Sequence, residues 1–512
     1  MRASLARLLK RSALVLLVSV LTLLAWRIYD TERGPPLEPW HRTVPHELSE
    51  AELDGSDWAA WLRAEDSVFS EVREEVSAEL PVQTQPSMNR YRPGSPVYPP
   101  HFAQDWNRSY LLEPQGTPRG VVVLLHGLTD SPYSLRHIAR RYRELGFLAI
   151  GLRLPGHGSV PAGLTDTRWQ DWMAATRLAV RTARQRVPAP APLHVVGFSN
   201  GGALAVKYAL DTLSDRQLPA VDRLVLISPM IGVTRYARFA GLAGLPAVLP
   251  AFSKAAWLSR LPEFNPFKYN SFPVNAARQS WLLTDALQTQ LARLASQQNL
   301  KTLPPILSFQ SLVDFTVSTP ALVSGLYRHL PANGSELVIF DINRASDFGG
   351  LLDPTASTAL ERLLPAPPRN YKTSVVTNAS TSSNAMIEIS TLALNKTSSQ
   401  TPLNLEYPRE LFSLSHVALP FPYDDALYGR EPASNEDFGI HLGTLAARGE
   451  RGVLMVDLDA LMRVASNPFF PYLIRRIETD IPGSPPEPVD KKRPVNRGAI
   501  AASLSTEDIE RW

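Results

Sequence analysis

Residues 192–206 read Pro192-Leu193-His194-Val195-Val196-Gly197-Phe198-Ser199-Asn200-Gly201-Gly202-Ala203-Leu204-Ala205-Val206. An apolar run, Leu193 to Val196, meets a Gly-x-Ser-x-Gly turn and then an alanine-rich helical pattern, so the stretch reads strand, sharp turn, helix. A serine that attacks a carbonyl must stand clear of the sheet on a strained turn, and glycines two before and two after it let strand and helix backbones pass closely. Ser199 is therefore the candidate nucleophile. The same pattern also arises as a tight turn with a spectator serine, so its meaning rests on what surrounds it.

Upstream, Val121 to Leu125 is the apolar run of a fully buried strand, followed by His126-Gly127-Leu128-Thr129-Asp130-Ser131-Pro132 and a helix to about Arg143. Phe147 to Leu154 is the next strand and ends in Pro155-Gly156-His157-Gly158; a helix carrying Trp169 and Trp172 then leads to the elbow. Downstream come Arg223 to Ile227 and Pro305 to Gln310. Continuous apolar strands alternating with helices predict an α/β protein, a mostly parallel sheet covered by helices on both faces. Ligands of such sheets bind at the carboxyl ends of the strands, where Ser199 and these loops sit.

In that order and at those intervals, His126-Gly127-Leu128, Pro155-Gly156-His157-Gly158 and Gly197-Phe198-Ser199-Asn200-Gly201-Gly202 resemble the α/β-hydrolase superfamily. Within it the chain is most similar to the monoacylglycerol lipase, carboxylesterase and serine aminopeptidase-like group. The resemblance covers residues 110–345 and a carboxyl-terminal histidine segment, and implies an α/β-hydrolase fold and a serine hydrolase with no metal and no organic cofactor. Acyl transfer places negative charge on the former carbonyl oxygen, so two backbone N–H groups must point at it; by position these are Leu128 and Asn200. His126 and His157 read as residues that hold their loops.

The acid is expected after the strand at 305–310, where Asp314 resembles the family's acid loop, with Asp341 and Asp347 as alternatives. The superfamily's order of nucleophile, acid and histidine leaves His329, His416 and His441. His329 lies in the helical pattern Ala321 to Leu330, on the side away from the strand ends. His416 ends a short apolar run that breaks into a proline loop, and is the expected general base; His441 is its competitor. Compact members place this histidine just after the last core strand, whereas here two further strand candidates intervene, Tyr371 to Thr377 and Ala385 to Leu394. The pattern predicts an inserted β excursion before the catalytic histidine.

The remaining chain divides as follows. Residues 1–30 form a membrane signal anchor, with charge-free residues 12–26 lying between Lys10-Arg11 and Arg27. A cleavage site needs small residues that Leu23-Leu24-Ala25 supplies only in part; cleavage would make the protein secreted. With the basic end cytoplasmic, the body lies outside the cytoplasm, on the periplasmic side of a bacterial inner membrane, or in a eukaryotic lumen. Residues 31–110 read as a proline-rich linker and a helical extension opened by the Ser49/Glu52 capping box. Core segments fall at 111–229 and 301–345. Between them, 230–300 reads as a helical cap whose apolar residues, among them Phe239, Leu242, Leu245, Leu249, Phe252 and Trp257, line an acyl pocket or pack on the body. An insertion follows at 346–405, the histidine-bearing segment at 406–478, and a disordered tail at 479–512.

Composition narrows the chemistry. The 512 residues contain no cysteine, which excludes disulfides, thiolate metal sites and cysteine nucleophiles. The net charge of +3 is an effect of the amino terminus, where Arg2, Arg7, Lys10, Arg11 and Arg27 stand without an acid. No basic stripe with interleaved aromatics suggests nucleic acid. The expected substrate is a small carboxylic ester, with lipophilic acyl groups suggested by the cap. An aminopeptidase or amidase would need a site for an α-amino group, for which Glu263 is the chief acid in the cap. An acyltransferase is a further alternative within the class, and an inactive binding or scaffold protein the alternative outside it.

Overall fold

The computed structural model describes residues 2–81, 88–232, 247, 250–346, 358–445, 463–479 and 481. In chain order the strands are β1 (Tyr110–Leu112), β2 (Gly120–Leu125), β3 (Phe147–Leu152), β4 (Leu193–Phe198), β5 (Arg223–Ile227), β6 (Trp257–Ser259), β7 (Phe272–Pro273), β8 (Ile306–Ser311), β9 (Glu336–Phe340), β10 (Lys372–Ser380), β11 (Ser383–Thr391) and β12 (Ser398–Glu406). The helices are α1 (Arg2–Arg33), α2 (Pro39–Arg42), α3 (Glu50–Gly55), α4 (Trp58–Val72), α5 (Arg136–Glu144), α6 (Trp169–Arg186), α7 (Asn200–Thr212), α8 (Val274–Ser296), α9 (Thr319–Gly325), α10 (Ala359–Leu363) and α11 (Phe470–Glu478).

The uninterrupted apolar runs become the centre of the sheet because each of their residues is covered on one face or the other. β2, β3, β4, β5, β8 and β9 are buried along their whole length. The order is β1-β3-β2-β4-β5-β8-β9-β10-β11-β12, with β6 and β7 as a separate pair. Pairing is parallel from β3 through β10, and antiparallel at β1 and at β11 and β12. Alternate residues feed two cores. Val121, Val123 and Leu125 pack with residues of α6, α7 and α8, while Val122 and Leu124 pack with residues of α5 and α11.

Three expectations are refined. The expected cap divides, because its second half is α8, whose Leu283, Leu287 and Leu291 are buried in the core shared with α6 and α7. Phe239, Leu242, Leu245 and Leu249 lie outside the described residues, as do Val453 to Val456 and the tail from Pro482. The expected β excursion is present and extends the main sheet: β10 pairs in parallel with β9, Lys372 opposite Glu336, and β11 and β12 follow at its edge. The strand β12 was not legible in its polar sequence, which fits an exposed sheet edge. The helical extension is two helices, since the chain breaks after Gly55 and Asp57 caps α4 by accepting from the Ala60 amide at 2.7 Å.

That extension is clasped to the body by a buried cation. Arg153, just past β3, pairs with Glu47 at 2.6 Å and with Glu65 of α4 at 2.9 Å, and its guanidinium lies over the Trp61 ring. Glu47 also accepts from the Gly156 amide at 2.8 Å, so the extension and the Pro155–Gly158 loop are fixed together. α1 is a helix long and apolar enough to cross a membrane, with exposed leucines along it. Its carboxyl end docks on β6 and the residues that flank it: Arg27 donates to the Trp257 carbonyl, Arg260 donates to the Thr31 carbonyl at 2.7 Å, and Lys254 pairs with Glu32 at 3.4 Å.

Candidate active site

The turn between β4 and α7 is as tight as its glycines permit. A Cβ on Gly197 would lie 2.4 Å from the Gly201 carbonyl oxygen, and one on Gly201 would lie 2.0 Å from that of Leu125, so neither position accepts a side chain. Ser199 sits at φ +53°, ψ −114°, a conformation that costs on the order of 1–3 kcal/mol for a residue with a side chain. Its backbone is held by donation to the Ile227 carbonyl at 3.0 Å and by acceptance from Met230 at 2.9 Å. The strained turn thus presents the hydroxyl at the carboxyl ends of the strands.

Beside it runs the loop after β2. A Cβ on Gly127 would fall 3.3 Å from Ser199 Cβ, which brings Leu128 to the edge of the serine. The amides of Leu128 and Asn200 have no acceptor among the described residues. His126 shapes this loop as a neutral ring. Its Nε2 accepts from the Leu154 amide at 3.1 Å, and its Nδ1 donates to the Gly127 carbonyl at 2.8 Å. Burial, with neighbouring His157 adding to it, holds its pKa far below the usual histidine range. His157 is likewise buried, lowered to about 3 by desolvation and packed edge-on against His126 and Trp172. Both rings are fully buried, and both nitrogens of His126 are committed to the backbone.

Asp314 and His416, 102 residues apart, meet with Asp314 Oδ2 2.9 Å from His416 Nδ1. The ring of His416 stacks on Phe198, the residue before Ser199, with centroids 5.2 Å apart. Asp314 Oδ2 also accepts from Gln310 Nε2 at 3.0 Å, and its Oδ1 accepts from the amides of Thr316 and Val317 at 2.8 and 3.0 Å. Burial alone would raise this carboxyl; the hydrogen bond and charge of His416, with the two amides, outweigh it and hold the pKa below the ordinary value.

The long detour to His416 ends at the strand tips because the chain is gripped there. Asn343 donates through Nδ2 to the carbonyls of Pro408 and Leu411, Tyr407 donates to the Asp341 carbonyl, and Ser311 at the end of β8 donates to the Leu414 carbonyl at 2.8 Å. These positioning residues escaped the sequence reading; polar residues directly after two core strands were the signal available.

The rival residues are placed elsewhere. Asp341 is buried against Arg344 and Thr377 at 2.9 and 2.8 Å. Asp347 lies outside the described residues. His329 ends a short turn after α9 on the sheet's flank, and His441 is exposed with Nδ1 2.8 Å from the Ala426 carbonyl. Glu263, considered as an amine site, is fully buried and accepts from the amides of Asn270 and Ser271 at 3.0 and 2.8 Å. It staples the loop that reaches Thr129 through the Tyr269 amide at 2.8 Å. Among the described residues no cluster of His, Asp or Glu has the arrangement of a metal site.

The family model described as serine aminopeptidase, S33 matches residues 116–342, a span that includes Ser199 and Asp314 and ends before His416. A thermostable monoacylglycerol lipase of Bacillus sp. (strain H-257) is 26% identical over 223 residues, covering 42% of this chain and 79% of that protein. Among solved structures, a metagenome-derived lipolytic enzyme of the LipS and LipT pair is 22% identical with a TM-score of 0.37, covering 46% of this chain and 88% of its own. A soluble variant of monoglyceride lipase from Saccharomyces cerevisiae is 14% identical with a TM-score of 0.35, covering 45% and 81%.

Proposed function

From the premise that this chain belongs to the α/β-hydrolase superfamily and is a serine hydrolase of the esterase and lipase type, we propose that it cleaves carboxylic esters through an acyl-enzyme on Ser199. The observation that carries this reading is the 2.9 Å contact of Asp314 with His416, whose ring lies on the residue next to Ser199. With Nδ1–H donating to Asp314, the lone pair of His416 is on Nε2, and that atom takes the Ser199 proton as Oγ attacks the ester carbonyl. The Leu128 and Asn200 amides receive the oxyanion. His416 then returns the proton to the departing alcohol, and a water activated by the same imidazole releases the acid. Asp314 stays ionised throughout and stabilises the imidazolium.

Ester is favoured over peptide cleavage because Glu263, the acid considered for an α-amino group, is consumed by backbone amides. The membrane part of the proposal rests on α1. Read as an uncleaved anchor with its basic end cytoplasmic, it holds the body outside the cytoplasm, on the periplasmic side of an inner membrane. Its end is bonded to Trp257 and Arg260, a few residues from the loop that touches Thr129 beside Leu128. An anchor docked on this segment keeps the body close to the bilayer, which suits lipophilic esters.

The test is turnover of p-nitrophenyl esters of increasing acyl length, and of the matching anilides, by the full chain in detergent. Ester cleavage that exceeds anilide cleavage and disappears in His416→Ala is expected. Anilide cleavage equal to ester cleavage would move the reading to an amidase. Full activity in His416→Ala would remove His416 from it.

A further inference from the structure

Beside the loop that carries Asp314, residues just past β8 together with α9 and α10 surround a cleft of about 690 Å³, a volume within the roughly 300–1,000 Å³ usual for small-molecule sites. Leu312 and Val323, which belong to the core, and Leu363 of α10, which packs against it, give the cleft an apolar lining. Arg328 enters the lining from the α9 side and Arg362 from α10. Both arginines are exposed.

Neither arginine has a carboxylate within ion-pair distance among the described residues. Residues 319–335 contain no acid, and residues 358–373 contain only Glu361. Glu361 and Arg362 are consecutive on α10, and consecutive helical side chains do not face each other. Arg369 brings a further cation to the rim by donating to the Pro365 carbonyl at 2.7 Å; burial lowers its pKa with only Tyr371 opposing. On α5 and α6, by contrast, Arg140 meets Glu436 at 2.7 Å and Arg177 meets Asp54 at 2.6 Å. The cleft therefore sets uncompensated positive charge around apolar surface, the complement of an amphiphilic anion.

We propose that this cleft binds a fatty carboxylate, its head group between Arg328 and Arg362 and its acyl chain along Leu312, Val323 and Leu363. The two guanidinium groups supply the charge-assisted N–H donors that a carboxylate takes, and the chain removes the apolar lining from water. The choice of a carboxylate among anionic amphiphiles rests on the proposed ester cleavage, which releases one. The lining contains neither Ser199 nor His416. It adjoins the Asp314 loop instead: Leu312 leads into that loop, and Pro320 follows Thr319, whose Oγ1 accepts from the same Gln310 Nε2 that donates to Asp314.

The probe is sodium octanoate, titrated calorimetrically into the full chain in a non-ionic detergent at low ionic strength, with octanamide as the uncharged control and octyl phosphate as the rival anion. Saturable octanoate binding about tenfold tighter than octanamide binding is expected, corresponding to charge-assisted contacts that added salt weakens. Arg328→Gln combined with Arg362→Gln, both at exposed positions, removes the preference for the anion. Ser324→Trp, at an exposed position of the lining, fills the cleft, keeps both arginines and removes the octanoate site. The micelle is common to all these proteins, so partition into it cancels in the comparison. Binding needs no turnover, so an inactive protein that binds octanoate is told apart from an active one that does not. No saturable binding to the wild type, equal affinity for octanoate and octanamide, tighter binding of octyl phosphate, or a site that survives in Ser324→Trp, as octanoate held at Ser199 would, each overturns the proposal.

Discussion

Two buried aspartate–histidine pairs have the same separation and opposite surroundings. Asp314 Oδ2 lies 2.9 Å from His416 Nδ1, and Asp425 Oδ2 lies 2.9 Å from His137 Nε2. Asp425 also takes Arg136 at 2.6 Å, the Tyr133 hydroxyl at 2.9 Å and the amides of Leu427 and Tyr428 at 2.9 and 2.6 Å. Against burial, which would raise it, Arg136 holds that carboxyl far below its usual range, and burial together with Arg136 pushes His137 down. There the carboxylate already has a permanent cation, so protonating the imidazole gains little. Around Asp314 the other donors are neutral, namely Gln310 Nε2 and two amides. On the proposed mechanism its counter-charge is the one that would form when His416 takes a proton. What separates a proton-transfer pair from a staple is thus the competing cation, not the distance.

The largest expected effect comes from breaking the first pair. Asp314→Asn should lower kcat by about 10⁴-fold, because an amide no longer selects the tautomer with its lone pair on Nε2. Steady-state ester hydrolysis measures this, and the loss of stability should be smaller than that of Asp425→Asn. Asp425→Asn should do the reverse. It leaves the buried Arg136 with only Glu436, at 3.3 Å, as a counter-charge and should cost about 3 kcal/mol in chemical unfolding, with the kcat of the folded protein retained.

The acid limb sharpens the comparison. Both carboxyls have depressed pKa values when folded, so each contributes stability that is fully present above the unfolded value of about 3.9 and is lost as pH falls through the folded value. Wild-type stability should therefore decline below about pH 4, by up to about 1.4 kcal/mol per pH unit for each proton taken up. In Asp425→Asn that decline should be shallower, as thermal unfolding followed down the pH scale would reveal. The smallest effect is expected at His441→Ala, an exposed ring, with stability within about 0.5 kcal/mol of wild type and unchanged kcat. A collapse of activity there would exchange the roles of His441 and His416.

The elbow, the Leu128 loop and the parallel core were legible because each is written in contiguous residues: glycines that backbones must approach, and apolar runs that only a two-sided burial explains. Asp314 was legible from its place after a strand. His416 could be ranked above His329 and His441 only by its setting, since the contacts that return it to the strand ends, through Ser311, Asn343 and Tyr407, span up to about 100 residues of sequence. The Arg136–Asp425 knot, the Arg153 clasp and the packing of α8 in the core were not legible for the same reason. Helical apolar spacing says that a face is buried and leaves open whether a cap or the sheet buries it.

The most direct test is stoichiometric labelling of the full chain in detergent with a fluorophosphonate, followed by mass spectrometry of the modified peptide. One adduct per chain on Ser199, absent from Ser199→Ala and slowed by orders of magnitude in His416→Ala and Asp314→Asn, is the predicted result. A folded wild type that takes up no label, or an adduct on any other residue, would contradict an activated serine at the elbow.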